Sequence, residues 1–413
     1  MIVSNSKQVN QVVYGPTTGA CAAAAAVAAL RFLINKKSFT EITIVLPCER
    51  EWNFKINKLE VIDSIDRIDS NDSDSDNCSR AIASIIKPYN SDYDCTIGAE
   101  IVAEVILFTH STINRTIEIE GGVGVAKVTK SGLGLEVGSW AINPIPKKHI
   151  KELIEQELTS SINTSVKVII SVPEGEELAK KTINERLGLV GGISILGITG
   201  LVMPYSVDAY KECISSSLSV AYTFGGTSSD CKELVFTTGG RTEFYAKKLN
   251  QLQHLNGRDE FFIQVADFLQ YSIDLVANDN QKVKRVEVIH LVAMMGKLSK
   301  IANIDNNLLT HVNESDIDTH FLAKLVSSLL NDSNDSNDSN DNSELINKIK
   351  GANTAREVLE ITKENGIDGL PLLIAKKAHE AMVARIKNIK SDINIHVYFL
   401  DYSGNLLAFY KGE

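Results

Sequence analysis

The sequence lacks the patterns that assign chains to several large protein classes. It has six cysteines, but no two stand in Cys-x-x-Cys spacing, so neither a structural zinc site nor a redox dithiol is indicated. It has no run of about 18 apolar residues and no basic N-terminal segment followed by an apolar stretch. We therefore expect no membrane span, no secretory signal peptide, and a cytoplasmic protein whose cysteines are free thiols.

Positive charge is in deficit, which argues against two classes of partner. The 413 residues contain 42 Lys and Arg against 52 Asp and Glu, giving a formal net charge of −10. Nucleic acid and anionic membranes are therefore poor candidates as partners, whereas an anionic small molecule responds to local charge and stays open. The hydrophobic share of 44% and charged share of 23% are typical of globular chains, and the length predicts two or three domains.

Familiar catalytic and metal motifs are also missing. There is no Gly-x-Ser-x-Gly elbow, no His-Glu-x-x-His and no Walker lysine loop. His311 and His320 carry no ligand spacing, and the acidic stretch 69–79 lacks the glycine and glutamate of a calcium loop. We predict no metal site, and no residue is singled out as catalytic.

The first half of the chain alternates between helix and strand patterns. Residues 17–34 are alanine-rich and predict a helix that Thr17 or Thr18 caps. Residues 41–46, 98–109 and 165–172 predict strands, with 113–119 as the hairpin partner of 98–109. These helix and strand patterns together predict an α+β domain over residues 1–205.

The second half changes to a repeated strand, short turn and helix, which predicts a parallel sheet with crossover helices over 206–413. The predicted strands are 233–238, 261–265 and 286–293, the later helices are 354–365 and 370–389, and a hairpin joins 396–400 to 406–409. Asn-Asp-Ser repeats at 331–343, like the stretch 69–79, predict solvated loops or disordered insertions.

Four clusters of glycine and threonine stand out. Gly15–Gly19 precedes the alanine helix, where free N–H groups attract anions, although simple capping explains the same pattern. Gly121–Lys127 contains Gly-x-Gly but lacks the third small residue of a dinucleotide fingerprint. Its continuation, Val128–Leu135, is typical of a glycine-rich binding loop or of hairpin turns. Asn184–Gly200 is dense in glycine, as is typical of backbone approaching a ligand or of tight turns. Thr237–Arg241 ends a strand and begins a helix, the usual ligand edge of an open α/β sheet, where Arg241 can pair with a carboxylate.

Taken in order, these clusters resemble the cobalt-precorrin-5B C1-methyltransferase family, CbiD. Thr17–Ala22 matches the family's opening Thr-Thr-Gly-Thr-Cys-Ala except at Ala20, and Gly124–Leu133 matches its Gly-Val-x-x-Val-Thr-Lys-x-Gly-Leu. The segment from Pro173 to Pro204 is close to the family's longest motif, and Gly296–Lys300 also aligns. The resemblance covers nearly the whole chain.

The resemblance implies a methyltransferase of cobalamin biosynthesis. Such an enzyme transfers the methyl group of S-adenosylmethionine, its co-substrate, to C1 of a cobalt-containing tetrapyrrole and produces cobalt-precorrin-6A. It also implies an α+β domain joined to a Rossmann-like parallel-sheet domain, a small-molecule cobalt-corrinoid as partner, and compatibility with a homo-oligomer. Residues carried over as substrate- or cofactor-binding candidates are Thr17, Thr18, Gly19, Lys87, Asp92, Asp94, Thr96, Gly122, Gly124, Lys127, Lys130, Arg186, Ser194, Gly197, Thr199, Gly239, Arg241 and Lys297.

The sequence departs from the family at an aspartate-rich motif. Residues 87–98 read KPYNSDYDCTIG, so of the family's Lys-Asp-Ala-Gly-Asp-Asp-Pro-Asp-x-Thr-His-Gly only Lys87, Asp92, Asp94, Thr96 and Gly98 remain. These losses support an alternative in which the chain is a diverged relative that binds a tetrapyrrole with altered specificity or without turnover.

Overall fold

The computed structural model describes residues 14–62, 77–90, 94–109, 116–158, 164–202, 207–224, 231–282, 286–303, 317–332, 339–389 and 392–412. The chain divides into two compact units, Met1–Val207 and Asp208–Glu413. Both units are mixed α/β, as the sequence predicts.

In its described residues the N-terminal unit has helices of 18, 14 and 5 residues and many strands. Its helices are α1 (Thr18–Asn35), α2 (Pro144–Glu157) and α3 (Gly175–Ala179). Its strands are β1 (Gly15–Pro16), β2 (Glu41–Val45), β3 (Glu51–Lys55), β4 (Lys58–Ile62), β5 (Asn77–Ile86), β6 (Glu100–Thr109), β7 (Ile117–Gly121), β8 (Gly124–Val125), β9 (Lys127–Val128), β10 (Thr164–Ser171), β11 (Leu189–Val190), β12 (Gly192–Ile193) and β13 (Leu201–Val202).

Helix α1 is the core helix of this unit. Alanine favours helix, and its side chain is small. Helix α1 therefore packs closely on β5 and β6, whose buried residues include Ala81, Ala83 and Ala103. By length and composition alone α1 could cross a membrane, which qualifies the expectation of no span, but 78% of it is buried inside the unit. It ends where Lys36 adopts the left-handed conformation at φ 55°.

The main sheet of this unit has the order β4-β5-β6-β10-β7. Strand β10 pairs antiparallel with β6 and parallel with β7. The predicted hairpin between 98–109 and 113–119 is therefore wrong. Strand β6 pairs with β5 on one side and with β10 on the other, and β7 pairs with the opposite edge of β10. Consecutive strands often pair, but a later strand can insert between them.

The C-terminal unit alternates strands and helices, as its sequence pattern predicts. Its helices are α4 (Val207–Thr223), α5 (Gly240–Ala246), α6 (Leu269–Lys282), α7 (Met295–Ala302), α8 (Thr319–Asp332), α9 (Ser339–Lys350), α10 (Ala355–Glu364) and α11 (Leu370–Asn388), with 3-10 turns at Asn250–Leu255 and Asp259–Phe261. Its strands are β14 (Glu233–Thr237), β15 (Phe262–Gln264), β16 (Val288–Met294), β17 (Asn394–Leu400) and β18 (Leu406–Tyr410).

The sheet of this unit has the order β15-β14-β16-β17-β18. Strands β14 to β17 run parallel, and β18 returns antiparallel in the predicted C-terminal hairpin. The chain leaves β14 toward β15 on one side and later adds β16 on the other, so the strand order reverses beside β14. Ligands of open α/β sheets bind at such a switch point, outside the carboxyl ends of the strands.

The Asn-Asp-Ser repeat at 331–343 contributes to helices at both ends, contrary to the prediction of a loop. Helix α8 continues to Asp332 and α9 begins at Ser339. Of the other low-complexity stretch, 69–76 lies outside the described residues, and β5 begins directly after it.

A histidine cluster around the buried His290 lies near the amino ends of the parallel strands. His290 is 3% exposed, its Nε2 lies 2.9 Å from Glu233 Oε2, and its Nδ1 lies 3.2 Å from the Tyr398 hydroxyl. His254 contacts the same Glu233 oxygen at 2.8 Å, and the His396 ring packs edge-on against His290. Burial, reinforced by nearby His396, lowers the pKa of His290 to about 4 although Glu233 opposes the shift.

We expect His290 to make the protein acid-sensitive. In the unfolded chain the histidine has a pKa near 6.5, whereas folded His290 becomes protonated only at about pH 4. The unfolded state therefore binds more protons between these two pH values, and the free energy of unfolding falls as the pH drops from 6.5 to 4. Between pH 7.5 and 5 the free energy of unfolding should drop by about 2 kcal/mol from this residue. Urea titrations should show a shallower drop in His290→Gln, and equal slopes for both proteins would refute the assignment.

Candidate functional site

A cleft of about 300 Å³ in the N-terminal unit gathers residues that are far apart in sequence. The start of α1, the β5–β6 connection and the segments on both sides of β12 form its walls. Its lining combines polar and apolar side chains and comprises Thr17, Thr18, Lys87, Asp94, Cys95, Thr96, Thr182, Asn184, Ile193, Ser194, Leu196 and Val202. Six of the predicted candidates therefore meet here: Thr17, Thr18, Lys87, Asp94, Thr96 and Ser194.

The charged centre of this cleft is a buried ion pair. Lys87 Nζ donates to Asp94 Oδ2 at 2.5 Å, and the lysine side chain is only 1% exposed. Asp94 also accepts hydrogen bonds from Asn90 Nδ2 at 3.2 Å and from the Thr96 main-chain nitrogen at 2.8 Å. Burial alone would raise the pKa of Asp94, but the bonds from Lys87 and Thr96 outweigh it and lower that pKa. The pair is thus charge-compensated at neutral pH.

The connection between β5 and β6 positions this pair through its backbone. The main-chain nitrogen of Lys87 donates to Ala99, and Gly98 donates back to the carbonyl oxygen of Lys87. Gly98 has a φ of +79°, a left-handed conformation that glycine adopts without a steric penalty. Asp92, a further candidate in this connection, lies outside the described residues.

The start of α1 uses its polar groups internally. Thr17 Oγ1 accepts from the Ala20 nitrogen at 3.2 Å, and the Gly19 nitrogen donates to the Leu196 carbonyl at 2.9 Å. Thr18 Oγ1 accepts from the Leu196 nitrogen at 3.0 Å. These bonds favour the capping interpretation of the first glycine cluster over an open anion site.

Two thiols lie close to the ion pair, and neither is activated. Burial raises the pKa of the Cys21 thiol to about 12. Burial and the negative charge of Asp94 also raise the pKa of Cys95, which lines the cleft. Both therefore stay protonated at neutral pH, and the geometry offers no thiolate nucleophile here.

A second crevice, of about 480 Å³, lies in the C-terminal unit at the switch point of the parallel sheet. The segments following β14, β16 and β17 supply most of its lining, which comprises Thr238, Gly239, Gly240, Arg241, Thr242, Met294, Gly296, Lys297, Lys300, Ile317 and Tyr402. The predicted candidates Gly239, Arg241 and Lys297 meet here. Gly239 has a φ of +154° and a side chain there would meet no atom within 4 Å, so its conformation and not crowding requires glycine.

The turn of the C-terminal hairpin holds one wall of this crevice in place. Arg241 Nη2 donates to the Tyr402 carbonyl oxygen at 2.5 Å, and the Tyr402 hydroxyl lies close to Gly296. Lys297 forms an ion pair with Asp267, which follows β15. Tyr402 also borders a third cavity, of about 350 Å³, that Arg356 helps to line.

The other candidates lie outside both cavity linings. Lys127 stacks 3.5 Å from the centre of the Trp140 ring, and Lys130 Nζ donates to the Arg186 carbonyl oxygen at 3.1 Å. Thr199 Oγ1 donates to Leu201, and Gly197 packs against Thr17, where a side chain would clash.

Glycines of the second and third clusters pack against protein backbone. A side chain on Gly124 would overlap the Val172 carbonyl oxygen, and side chains on Gly175 or Gly192 would overlap the Gly124 carbonyl oxygen. A side chain on Gly122 would instead overlap the Ser171 side chain of β10. The close approach that glycine density indicates is therefore one of chain segments to each other.

Sequence reasoning missed several lining residues, including Cys95, Lys300 and Tyr402. Tyr402 is within the turn sequence that predicted a hairpin, but a turn signal says nothing about what its side chain borders. Lys300 follows Lys297 by three residues on α7, a spacing that places both on one face of a helix. That spacing could have identified it.

Comparisons with known proteins agree along nearly the whole chain. The model of the CbiD family matches residues 5–204, and that of the CbiD C-terminal domain matches residues 337–411. The cobalt-precorrin-5B C(1)-methyltransferase of Leptospira interrogans serovar Lai is 40% identical over 95% of this chain and 94% of that protein. The protein of that name from Priestia megaterium is 42% identical over 95% of each. A crystal structure of the cobalamin biosynthesis protein CbiD from Archaeoglobus fulgidus is 26% identical, covers 69% of this chain and 78% of that one, and has a TM-score of 0.34.

Proposed function

The chain belongs to the CbiD family, and from that premise we propose that it transfers a methyl group from S-adenosylmethionine to C1 of cobalt-precorrin-5B, yielding cobalt-precorrin-6A. The observation that carries the proposal is the likeness to curated methyltransferases over 95% of the chain. The convergence of six family-motif residues in one cleft supports it.

The methyl donor fits the N-terminal cleft better than the C-terminal crevice. When bound, S-adenosylmethionine supplies a methyl group on a positively charged sulfonium. The N-terminal cleft presents hydroxyl groups, the Asn184 amide and an ion pair whose charges cancel. The crevice presents Arg241, Lys297 and Lys300, which would repel a sulfonium.

The work of the chain in this reaction is positioning. Methyl transfer from sulfonium to carbon requires the two reactants in line and water excluded, and such orientation can contribute about 7–11 kcal/mol to lowering the barrier. A rigid lining suits that task, and the four hydrogen bonds that Asp94 accepts hold its carboxylate in place. A lining with no activated thiol among the described residues agrees with direct transfer, without a covalent enzyme intermediate.

Mass spectrometry can test the activity directly. Purified protein incubated without oxygen with cobalt-precorrin-5B and methyl-labelled S-adenosylmethionine should yield a tetrapyrrole that carries one labelled methyl group. The Priestia megaterium relative serves as the positive control.

If that relative transfers the label and this chain does not, the proposal fails and the diverged, tetrapyrrole-binding alternative takes its place. The substitutions in the aspartate motif, which keeps Lys87 and Asp94, are the observation that favours this second candidate.

A further inference from the structure

The crevice of the C-terminal unit differs from the other cavities in its charge. Three cations line it, Arg241, Lys297 and Lys300, and no carboxylate does so among the described residues. In a chain whose formal net charge is −10, such a local excess of positive charge is a strong electrostatic signal.

The other cavities provide an internal comparison. The cavity of about 350 Å³ in the same unit is lined by two cations, Arg356 and Lys363, and by three carboxylates, Glu360, Asp368 and Asp401. The N-terminal cleft has one of each, Lys87 and Asp94. Asp267, which pairs with Lys297, lies outside the lining of the crevice.

Hydroxyl groups and fixed backbone accompany these cations. Thr238 and Thr242 line the same wall, and Thr242 Oγ1 donates to the Gly239 carbonyl at 2.7 Å. The bond from Arg241 to the Tyr402 carbonyl holds the guanidinium in place, so little side-chain freedom remains to be lost on binding. The arrangement suits a rigid anion with several oxygens.

We infer that this crevice binds carboxylate side chains of a tetrapyrrole through Arg241, Lys297 and Lys300, and that the methyl donor is not its ligand. The inference rests on the proposed function, because the substrate of that reaction carries acetate and propionate groups around its ring. Parallel sheets commonly bind a nucleotide cofactor at this position, but the positive charge makes the crevice a poor site for a cationic donor.

Direct binding of a non-reactive probe tests the inference without turnover. Uroporphyrin I, with eight carboxylates, should quench the fluorescence of the protein on binding, and its affinity should fall as salt is added. Lys300→Gln and Arg241→Gln should each weaken that affinity about tenfold or more, since each removes one charge-assisted contact. Coproporphyrin I, with four carboxylates, should bind more weakly than uroporphyrin.

Lys324→Gln is the matched control, because this exposed lysine on α8 lines neither cavity of the unit, and uroporphyrin should bind it as it binds the parent chain. Thermal melting of each variant shows whether it is folded. If Arg241→Gln loosens the hairpin turn, the uroporphyrin affinity of Lys300→Gln decides the test, because that substitution alters only the end of one side chain.

Equal uroporphyrin affinity in Lys300→Gln and the parent chain would overturn the inference. So would a rise in the KM for S-adenosylmethionine in that variant with the KM for the tetrapyrrole unchanged. A different result would be uroporphyrin binding that weakens in Lys300→Gln and Arg241→Gln, without methyl transfer to cobalt-precorrin-5B by the parent chain. That result would contradict the proposed function and support the inference.

Discussion

A Lys87→Met variant is expected to have a free energy of unfolding about 3–5 kcal/mol lower than the parent chain. The substitution leaves Asp94, whose side chain is 16% exposed, with a negative charge and no cation beside it. Its pKa should rise, because the hydrogen bond from Lys87 is the largest influence lowering it. Urea titration at pH 7 measures the loss, and methyl transfer should fail as well because the pair shapes the cleft.

A double-mutant cycle separates the pair from its surroundings. Asp94→Asn keeps the shape of the side chain but leaves Lys87 without its anion, so it too should destabilise the fold. The double variant should lose clearly less stability than the two single losses combined, by at least about 1.5 kcal/mol. This coupling should shrink below pH 3.8, the ordinary pKa of an aspartate, as Asp94 takes up a proton. Additive losses at neutral pH would show that the pair contributes nothing of its own.

Gly124→Ala is expected to destabilise the N-terminal unit by at least about 3 kcal/mol, or to prevent folding. The residue is buried with a φ of +71°, and a side chain would overlap the Val172 carbonyl oxygen, which belongs to backbone and cannot rotate away. Circular dichroism and thermal melting measure the effect. The same result would show that this glycine serves packing and not ligand contact.

Gly134→Ala provides the matched control. Gly134 has nearly the same backbone angle, φ +69°, but a side chain there meets no heavy atom within 4 Å. It should lose only the penalty of the left-handed conformation, about 1–2 kcal/mol. If both variants are equally stable, the packing of Gly124 is not as tight as the structure shows.

Local patterns were reliable where the determinants of structure are local. The alanine-rich segment predicted α1 to within one residue at each end, because propensity and a threonine cap act over a few residues. The three strand-turn-helix repeats predicted β14, β15 and β16 for the same reason. The hairpin between β6 and β7 was wrong because pairing depends on β10, which lies about fifty residues later in the chain.

The candidate site was predictable in part, and only through resemblance. The motif residues Thr17, Lys87, Asp94 and Ser194 were selected from the sequence, but nothing in their spacing said that they share one cleft. For the glycine clusters the sequence leaves ligand contact and tight turns open, whereas the structure shows Gly124 and Gly192 at a backbone crossing. A glycine required by close approach looks the same in sequence whether a ligand or the chain itself approaches.

By itself, then, the sequence determined the elements and their order, the mixed α/β class and the family, because helix propensity, strand alternation and long motifs are all written along the chain. Only the tertiary structure decided which strands are neighbours, which candidate residues meet, and where positive charge accumulates in an acidic protein. Arg241, Lys297 and Lys300 are close in space because parallel strands bring their carboxyl ends to one edge of a sheet, and that edge exists only after the sheet has formed.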